Sequence, residues 1–140
     1  MSLSAASLRV GDRREQTLVD DLTRTQIVQY AGASGDFNPL HSDEVFATQV
    51  AGYPTVFGHG MLTMGMTGRL LTDWVGDGRL TDFGVQFRNQ VWPGDTLTGS
   101  ATVEAIRQEG GEHLADLAVE VRNQNGDVVL TGTATARLDP

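Results

Sequence analysis

The 140-residue sequence contains no cysteine and no lysine, and each absence excludes a class of chemistry. Without cysteine there is no disulfide, no thiolate metal site and no cysteine nucleophile. Without lysine there is no Schiff-base catalysis, and a bound phosphate has to be held by arginine, backbone amides or a helix N-terminus.

Positive charge and long apolar runs are also scarce. Ten arginines stand against 18 acidic residues, which gives a net charge of -8 and no clustered positive charge for a nucleic acid. No apolar run reaches the ~18 residues that span a bilayer, and the N-terminus lacks the basic start and apolar core of a secretory signal. We therefore expect a soluble cytoplasmic protein that binds neither nucleic acid nor a membrane.

The chain length is that of one compact domain. We expect residues 1–10 to form an N-terminal arm, frayed over the first nine, and residues 11–140 to form a single domain. A strand is predicted from Gly11 to about Leu18, and a capping box at Thr23–Gln26 predicts a helix that continues to Ala31.

Two further helices are predicted. Ser42, followed by two acidic residues, is typical of an N-cap and predicts a short helix through Phe46 and Ala47. A long helix from Met61 to about Val75 carries apolar residues on nearly every face, so we expect it to be buried at the centre of the fold.

The apolar periodicity changes to two after Gly78. Strands are predicted at about 80–88, 95–108, 112–123 and 128–138, with glycine-containing hairpin turns at Gly110-Gly111 and Asn125-Gly126. This pattern predicts an α+β domain in which a curved antiparallel sheet surrounds one helix.

The segment Y-A-G-A-S-G-D-F-N-P-L-H, from Tyr30 to His41, carries the chemistry. Gly35 permits backbone angles closed to other residues, and Asn38 with the proline after it favours a turn. Asp36 and His41 are therefore held at a fixed spacing, where both can act on one water.

Two other interpretations of this segment are a calcium loop and a purely structural turn. A calcium loop needs glycine at its sixth position and a carboxylate at its twelfth, where this chain has His41 and Ala47. No metal is therefore expected. A structural turn would suit the Asp-Phe-Asn triplet taken alone.

The longer segment resembles the hydratase 2 motif of the MaoC-like family, which includes (R)-specific enoyl-CoA hydratases and 3-hydroxyacyl-thioester dehydratases. All fixed positions of the pattern G-D-x-N-P-[LI]-H are present. The stretches Ala51–Met66 and Gly84–Asp95 are similar to the start of the family's central helix and to the strand and turn beside its acyl-carrier groove. One departure is Gln90, where the family often has proline.

The resemblance implies a hot-dog fold and homodimers whose sheets join edge to edge, with active sites at the subunit boundary. It implies reversible hydration of trans-2-enoyl thioesters, carried by CoA or acyl carrier protein, to (3R)-3-hydroxyacyl thioesters. This reaction needs no cofactor, because water adds to an already activated double bond.

Hydration requires a nucleophilic water, a proton for the α carbon and stabilisation of charge on the thioester oxygen. We assign the first two jointly to Asp36 and His41, and the sequence leaves open which of them removes the proton from the water. The third is assigned to the backbone amide of Gly60 at the start of the central helix. Supporting residues are expected to be Asn38, Gly35 and His59. Candidates for contacting the substrate are Phe57, Met61 and Arg88.

Two competing functions remain. A thioesterase of the same fold would use a carboxylate on the central helix, but the sequence has no acid from Met61 to Thr72. A non-catalytic acyl-binding subunit of a heterodimeric dehydratase could dispense with Asp36 or His41, and the presence of both argues against it. Acyl chain length, carrier, and the direction of the reaction are left open.

Overall fold

A computed structural model describes residues 3–140 of the chain. It has five strands and two α-helices, which confirms the α+β class. In chain order these elements are β1 (Arg13–Val19), α1 (Arg24–Ser34), α2 (Gly60–Val75), β2 (Leu80–Phe87), β3 (Leu97–Glu109), β4 (Glu112–Arg122) and β5 (Val128–Leu138).

All five strands form one antiparallel sheet in the order β1-β3-β4-β5-β2. Both predicted hairpin turns are confirmed: Gly110 and Gly111 join β3 to β4, and Gly126 lies between β4 and β5, all three with positive φ. The sheet wraps around α2, which is the expected hot-dog arrangement. Its two edges are β1 and β2.

Local capping interactions set both ends of helix α1. The Thr23 hydroxyl accepts from the Gln26 amide while the Gln26 side chain accepts from the Thr23 amide, so the predicted capping box is confirmed. Ile27 and Ala31, one turn apart, are buried and dock the helix on the core. The helix ends at Ser34, and Gly35 caps it and leads the chain directly to Asp36.

Helix α2 packs one face against the sheet. The buried face consists of Thr63, Thr67, Leu70, Leu71 and Val75. The opposite stripe, at Met61, Gly65 and Arg69, is exposed, so the expectation of burial on nearly every face is wrong for these positions. The reason is that a single sheet layer covers only one side of a helix.

The short helix after the motif starts one residue later than predicted. The Ser42 amide donates to the Pro39 carbonyl and closes a 3₁₀ turn at Pro39–His41. Ser42 ends that turn with φ -134° and ψ -22°, whereas an N-cap residue usually has the extended ψ of a strand, so Ser42 does not cap the next helix. The side chain of Asp43 accepts from the Phe46 amide at 3.2 Å and takes the capping role. The following turn, Phe46–Val50, is wound as a π-helix.

The N-terminal arm is ordered from residue 3 onward, and the prediction that it frays is wrong there. Ser4 forms a bridge with Asp139 beyond the end of β5, and the Ala5 amide donates to the Asp139 carbonyl at 2.7 Å. Leu8 is buried against the core. Residues 1 and 2 of the predicted arm lie outside the described residues. Within residues 3–140, no helix is long and apolar enough to cross a lipid bilayer.

Candidate active site

The Asp36–His41 turn is held by a chain of short-range hydrogen bonds. Gly35 adopts φ 75°, ψ 10°, the left-handed conformation that glycine allows without strain. The Asp36 carboxylate then accepts from the Asn38 amide at 3.2 Å, and the Asn38 side chain accepts from the Leu40 amide at 3.0 Å. These two consecutive Asx turns fix the backbone between Asp36 and His41.

His41 is oriented by the backbone of the loop before α2. Its Nδ1 lies 2.6 Å from the carbonyl oxygen of Phe57, and the two rings meet edge to face. Because a carbonyl can only accept, Nδ1 carries the hydrogen, and in the neutral ring Nε2 keeps a free lone pair. Nε2 of His41 is therefore available to accept a proton.

His59 lies under the turn and is only 2% exposed. Its Nε2 donates to the backbone carbonyl of Asp36 at 3.1 Å. Its ring stacks on His41, with 3.8 Å between centroids, and meets the edge of Tyr30. It occupies the N-cap position of α2 without a side-chain capping bond, so it contributes to the site by packing and by holding Asp36.

The side-chain ligand atoms of Asp36, His41 and His59 lie within 4.8 Å of one another. Two groups at this separation can both reach one water oxygen at hydrogen-bond distances of about 2.8 Å. The residue types would also suit a divalent metal, but the two imidazoles are stacked only 25° from parallel. Imidazole lone pairs lie in the ring plane, so those of His41 and His59 do not converge on a common ion. The arrangement suits a water better than a metal.

A polar clamp fixes the loop that carries Phe57. The Glu44 carboxylate accepts from the Arg24 guanidinium at 2.7 Å and from the Thr55 hydroxyl at 2.9 Å, and Arg24 also donates to Thr55. The hydrogen bond from Arg24, followed by that from Thr55, holds the pKa of Glu44 below its usual range. The clamp ties the start of α1 to the residues that precede Phe57, and so supports the carbonyl that orients His41.

Gly60, the first residue of α2, directly follows His59, so its backbone amide lies next to the stacked histidines. A helix cannot satisfy its own first amides, and among the described residues no backbone acceptor bonds to the Gly60 N–H. The structure adds a second reason for glycine here. A Cβ on Gly60 would lie 3.1 Å from Cε1, Cε2 and Cζ of Phe87, so the aromatic ring lies directly on the glycine.

A cavity of about 270 Å³ opens next to Gly60. Its walls come from the end of the loop before α2, the start of α2, the end of β2 with the turn after it, and the start of β5. The lining residues are Phe57, Gly58, Gly60, Thr63, Phe87, Arg88, Asn89, Gln90, Val91 and Val129. Asp36, His41 and His59 do not line the cavity, but two of its lining residues adjoin the histidines: the Phe57 ring meets that of His41, and Gly60 follows His59 in the chain. The cavity therefore lies beside these three residues.

The fold thus brings together residues that the sequence singled out separately. Asp36, His41 and His59 form one cluster, and Phe57, Gly60 and Arg88 line the cavity beside it. Met61 is instead 56% exposed and is not part of the cavity lining. Phe87 was not singled out from the sequence, although the alternation of β2 places it on the same face as Phe83.

Comparisons with known proteins show the family and fold of this chain. The family model described as MaoC like domain matches residues 6–125. The (R)-specific enoyl-CoA hydratase of Aeromonas caviae is 31% identical over 138 residues, which cover 97% of this chain and 99% of that protein. The mitochondrial 3-hydroxyacyl-[acyl-carrier-protein] dehydratase of Arabidopsis thaliana is 32% identical over 96% of this chain and 80% of that protein.

Several relatives are much longer than this chain, which matches only about a third or less of their length. The 3-hydroxyacyl-thioester dehydratase Y of Mycobacterium tuberculosis is 41% identical over 90 residues, but these make up only 31% of that protein. Among solved structures, the (R)-hydratase from A. caviae involved in PHA biosynthesis superimposes with a TM-score of 0.84 at 30% identity, covering 96% of this chain and 99% of that one.

Proposed function

The chain belongs to the MaoC-like domain family, and we propose that it is a hydro-lyase that reversibly hydrates trans-2-enoyl thioesters to (3R)-3-hydroxyacyl thioesters. The observation that carries the proposal is the position of Asp36 and His41. Their ligand atoms lie within 4.8 Å of each other, beside a cavity that reaches the start of α2.

In the proposed reaction one water is held between Asp36 and His41. Nε2 of His41 takes a proton from the water, and the oxygen bonds to C3 of the enoyl group. The electrons of the double bond move toward the thioester carbonyl, and C2 then receives a proton from the same pair of residues. Water is the only species consumed, so the two side chains end the cycle as they began.

Negative charge builds on the thioester oxygen during this addition. The free amide of Gly60, at the positive end of α2, is the group proposed to stabilise it. The oxyanion and the water would then be held by adjacent parts of the chain, because His59 and Gly60 are neighbours and His59 also holds Asp36.

We propose that the cavity beside Gly60 receives the thioester. Arg88 on its wall donates to the neutral side chains of Thr131 and Gln86, and no carboxylate among the described residues pairs with it. Its positive charge is therefore available to the carrier part of the substrate, whether CoA or acyl carrier protein.

We also propose a homodimer in the cytoplasm. Strand β2 is one edge of the sheet, and an uncovered edge offers a row of unpaired backbone groups to a second copy. Pairing of two such edges would place β2 and the adjoining cavity at the subunit boundary.

A thioester assay tests the function. With crotonyl-CoA, hydration lowers the enone absorbance without releasing thiol, and chiral analysis should give the (3R) alcohol. Release of thiol would instead indicate a thioesterase, and the (3S) alcohol would contradict the placement of water. Absence of both reactions over a panel of enoyl chain lengths, on CoA and on carrier protein, would contradict the proposal and favour an acyl-binding subunit.

A further inference from the structure

Phe87, at the end of β2, is half exposed yet lies against Gly60, the glycine of α2 that has the least room for a side chain. A Cβ on Gly60 would be equally far, 3.1 Å, from three carbons of the ring. A point equally far from three atoms of a six-membered ring lies close to the axis of that ring. The flat face of Phe87 therefore covers the position that a Cβ on Gly60 would occupy.

The same strand provides a comparison. Phe83 lies four residues before Phe87, on the same face of β2 but away from the cavity, and it faces Gly68 of α2. A Cβ on Gly68 would be 3.6 Å from a single edge carbon of Phe83, an ordinary contact, and neither residue lines the cavity. Of these two rings, only that of Phe87 both covers a helix glycine and forms part of the cavity wall.

The covered glycine is the one whose amide is proposed to bind the thioester oxygen. The Cα that would carry this Cβ is one bond, about 1.46 Å, from that amide nitrogen. An oxygen held at about 2.9 Å from the nitrogen brings the carbonyl carbon, and C2 attached to it, alongside the ring. A substituent on C2 would have to enter space that the ring already fills.

We propose that Phe87 is a specificity-determining residue that excludes enoyl thioesters with a methyl branch at C2. This inference rests on the proposed hydratase function and names its substrate class, which is the 2-unbranched enoyl thioesters. The enzyme would discriminate against the branched substrate because the Phe87 ring occupies the space that the methyl group needs. One methyl group that does not fit an apolar pocket typically changes kcat/KM by roughly 10–200-fold.

The experiment compares crotonyl-CoA with its 2-methyl derivative, tigloyl-CoA, using the wild-type protein, Phe87→Leu and Phe87→Ala. For the wild type we expect kcat/KM for tigloyl-CoA to be at least roughly tenfold lower than for crotonyl-CoA. Both variants should raise the ratio of tigloyl to crotonyl kcat/KM at least roughly tenfold, with the larger rise in Phe87→Ala. Phe87→Leu keeps an apolar side chain at this position in case the alanine variant does not fold.

Phe83→Leu is the matched control, because it changes the same residue type on the same face of the same strand away from the cavity. The ratio of tigloyl to crotonyl kcat/KM for Phe83→Leu should equal that of the wild type. An unchanged ratio in the Phe87 variants, an equal rise in Phe83→Leu, or efficient hydration of tigloyl-CoA by the wild type would each overturn the inference. Loss of the proposed function is recognised separately, since the wild type would then not hydrate crotonyl-CoA.

Discussion

The imidazole rings of His41 and His59 are stacked, with 3.8 Å between their centroids, and each ring donates to a different backbone carbonyl. Nδ1 of His41 bonds to the Phe57 carbonyl, and Nε2 of His59 bonds to the Asp36 carbonyl. The stack therefore joins the motif turn to the loop before α2: the loop orients His41, and His59 in turn holds the backbone at Asp36.

Removal of either proton-handling group should abolish most of the hydratase activity. We expect Asp36→Asn and His41→Ala each to lower kcat by about 10²–10⁴-fold, and the double variant to lose little more, because both act on one water. Steady-state kinetics with crotonyl-CoA measure the loss, and circular dichroism checks the fold. His113→Ala, at the far end of the sheet, is the control and should keep full activity. Near wild-type turnover in either variant would remove the basis of the mechanism.

His59 should act by positioning, and two substitutions separate its contributions. His59→Gln keeps an N–H donor for the Asp36 carbonyl but lacks the ring, whereas His59→Phe keeps the stacking ring but lacks the donor. We expect both to lower kcat, by up to about 10²-fold, with a much smaller change in KM, because small displacements of reacting groups are costly. If both variants turn over at the wild-type rate, the buried stack is not needed for positioning.

The role of the Gly60 amide can be separated from the contact with Phe87. Gly60→Ala adds a Cβ that meets the ring but keeps the N–H, while Gly60→Pro adds a Cβ and removes the N–H. Proline fits a first helical position, and His59, at φ -64° and ψ 136°, already has the conformation favoured before proline. We expect kcat/KM of Gly60→Pro to be about 10²–10³-fold below that of Gly60→Ala, the usual cost of one oxyanion donor. Equal values in two folded variants would exclude the amide from this role.

The clamp at Glu44 should make stability depend on pH. Its pKa is lowered in the folded protein from the ordinary value of 4.5, first by the hydrogen bond from Arg24. The charged form therefore stabilises the fold above about pH 4.5, and this contribution is lost as the pH falls through the lowered folded pKa. Glu44→Gln should melt at a lower temperature than the wild type at pH 7, and the two melting temperatures should converge in acid.

Thermal melts between pH 7 and pH 3 measure the effect of Glu44. The control is Glu104→Gln, which removes the same charge from an exposed residue that has no ion pair among the described side chains. A gap between Glu44→Gln and wild type that widens toward low pH would contradict the sign of the shift.

The protein should be a dimer whose activity depends on assembly. Light scattering should give twice the 15.0 kDa mass of the chain, because β2 leaves an uncovered sheet edge beside the cavity. Specific activity should fall when dilution drives the dimer apart. A fully active monomer, observed by scattering and assay at the same concentration, would contradict this expectation.

Local sequence chemistry determined much of the fold. The capping box at Thr23, the glycine turns between β3, β4 and β5, and the alternation of the strands all depend on neighbouring residues, and all were predictable. The same holds for the placement of Asp36 and His41 on one turn, because glycine, asparagine and proline restrict the backbone between them. The error at Ser42 is also local: this residue ends the preceding turn with ψ -22° and lacks the extended ψ of an N-cap, so the capping role falls to Asp43.

Contacts between distant segments were decided only by the tertiary structure. His59 reaches His41 because α2 begins under the motif turn, and the Phe57 carbonyl that orients His41 has no sequence signature, since every residue carries the same backbone oxygen. The contact between Phe87 and Gly60 depends on the position of α2 along β2. Many such positions would bury the apolar residues equally well, so the sequence pattern does not select one. The sequence by itself therefore determined which residues could handle the proton. The packing of helix on sheet decided what orients them and what fills the space beside them. The hydrophobic effect has no directional preference, so the shapes of the packed side chains decide which of them meet.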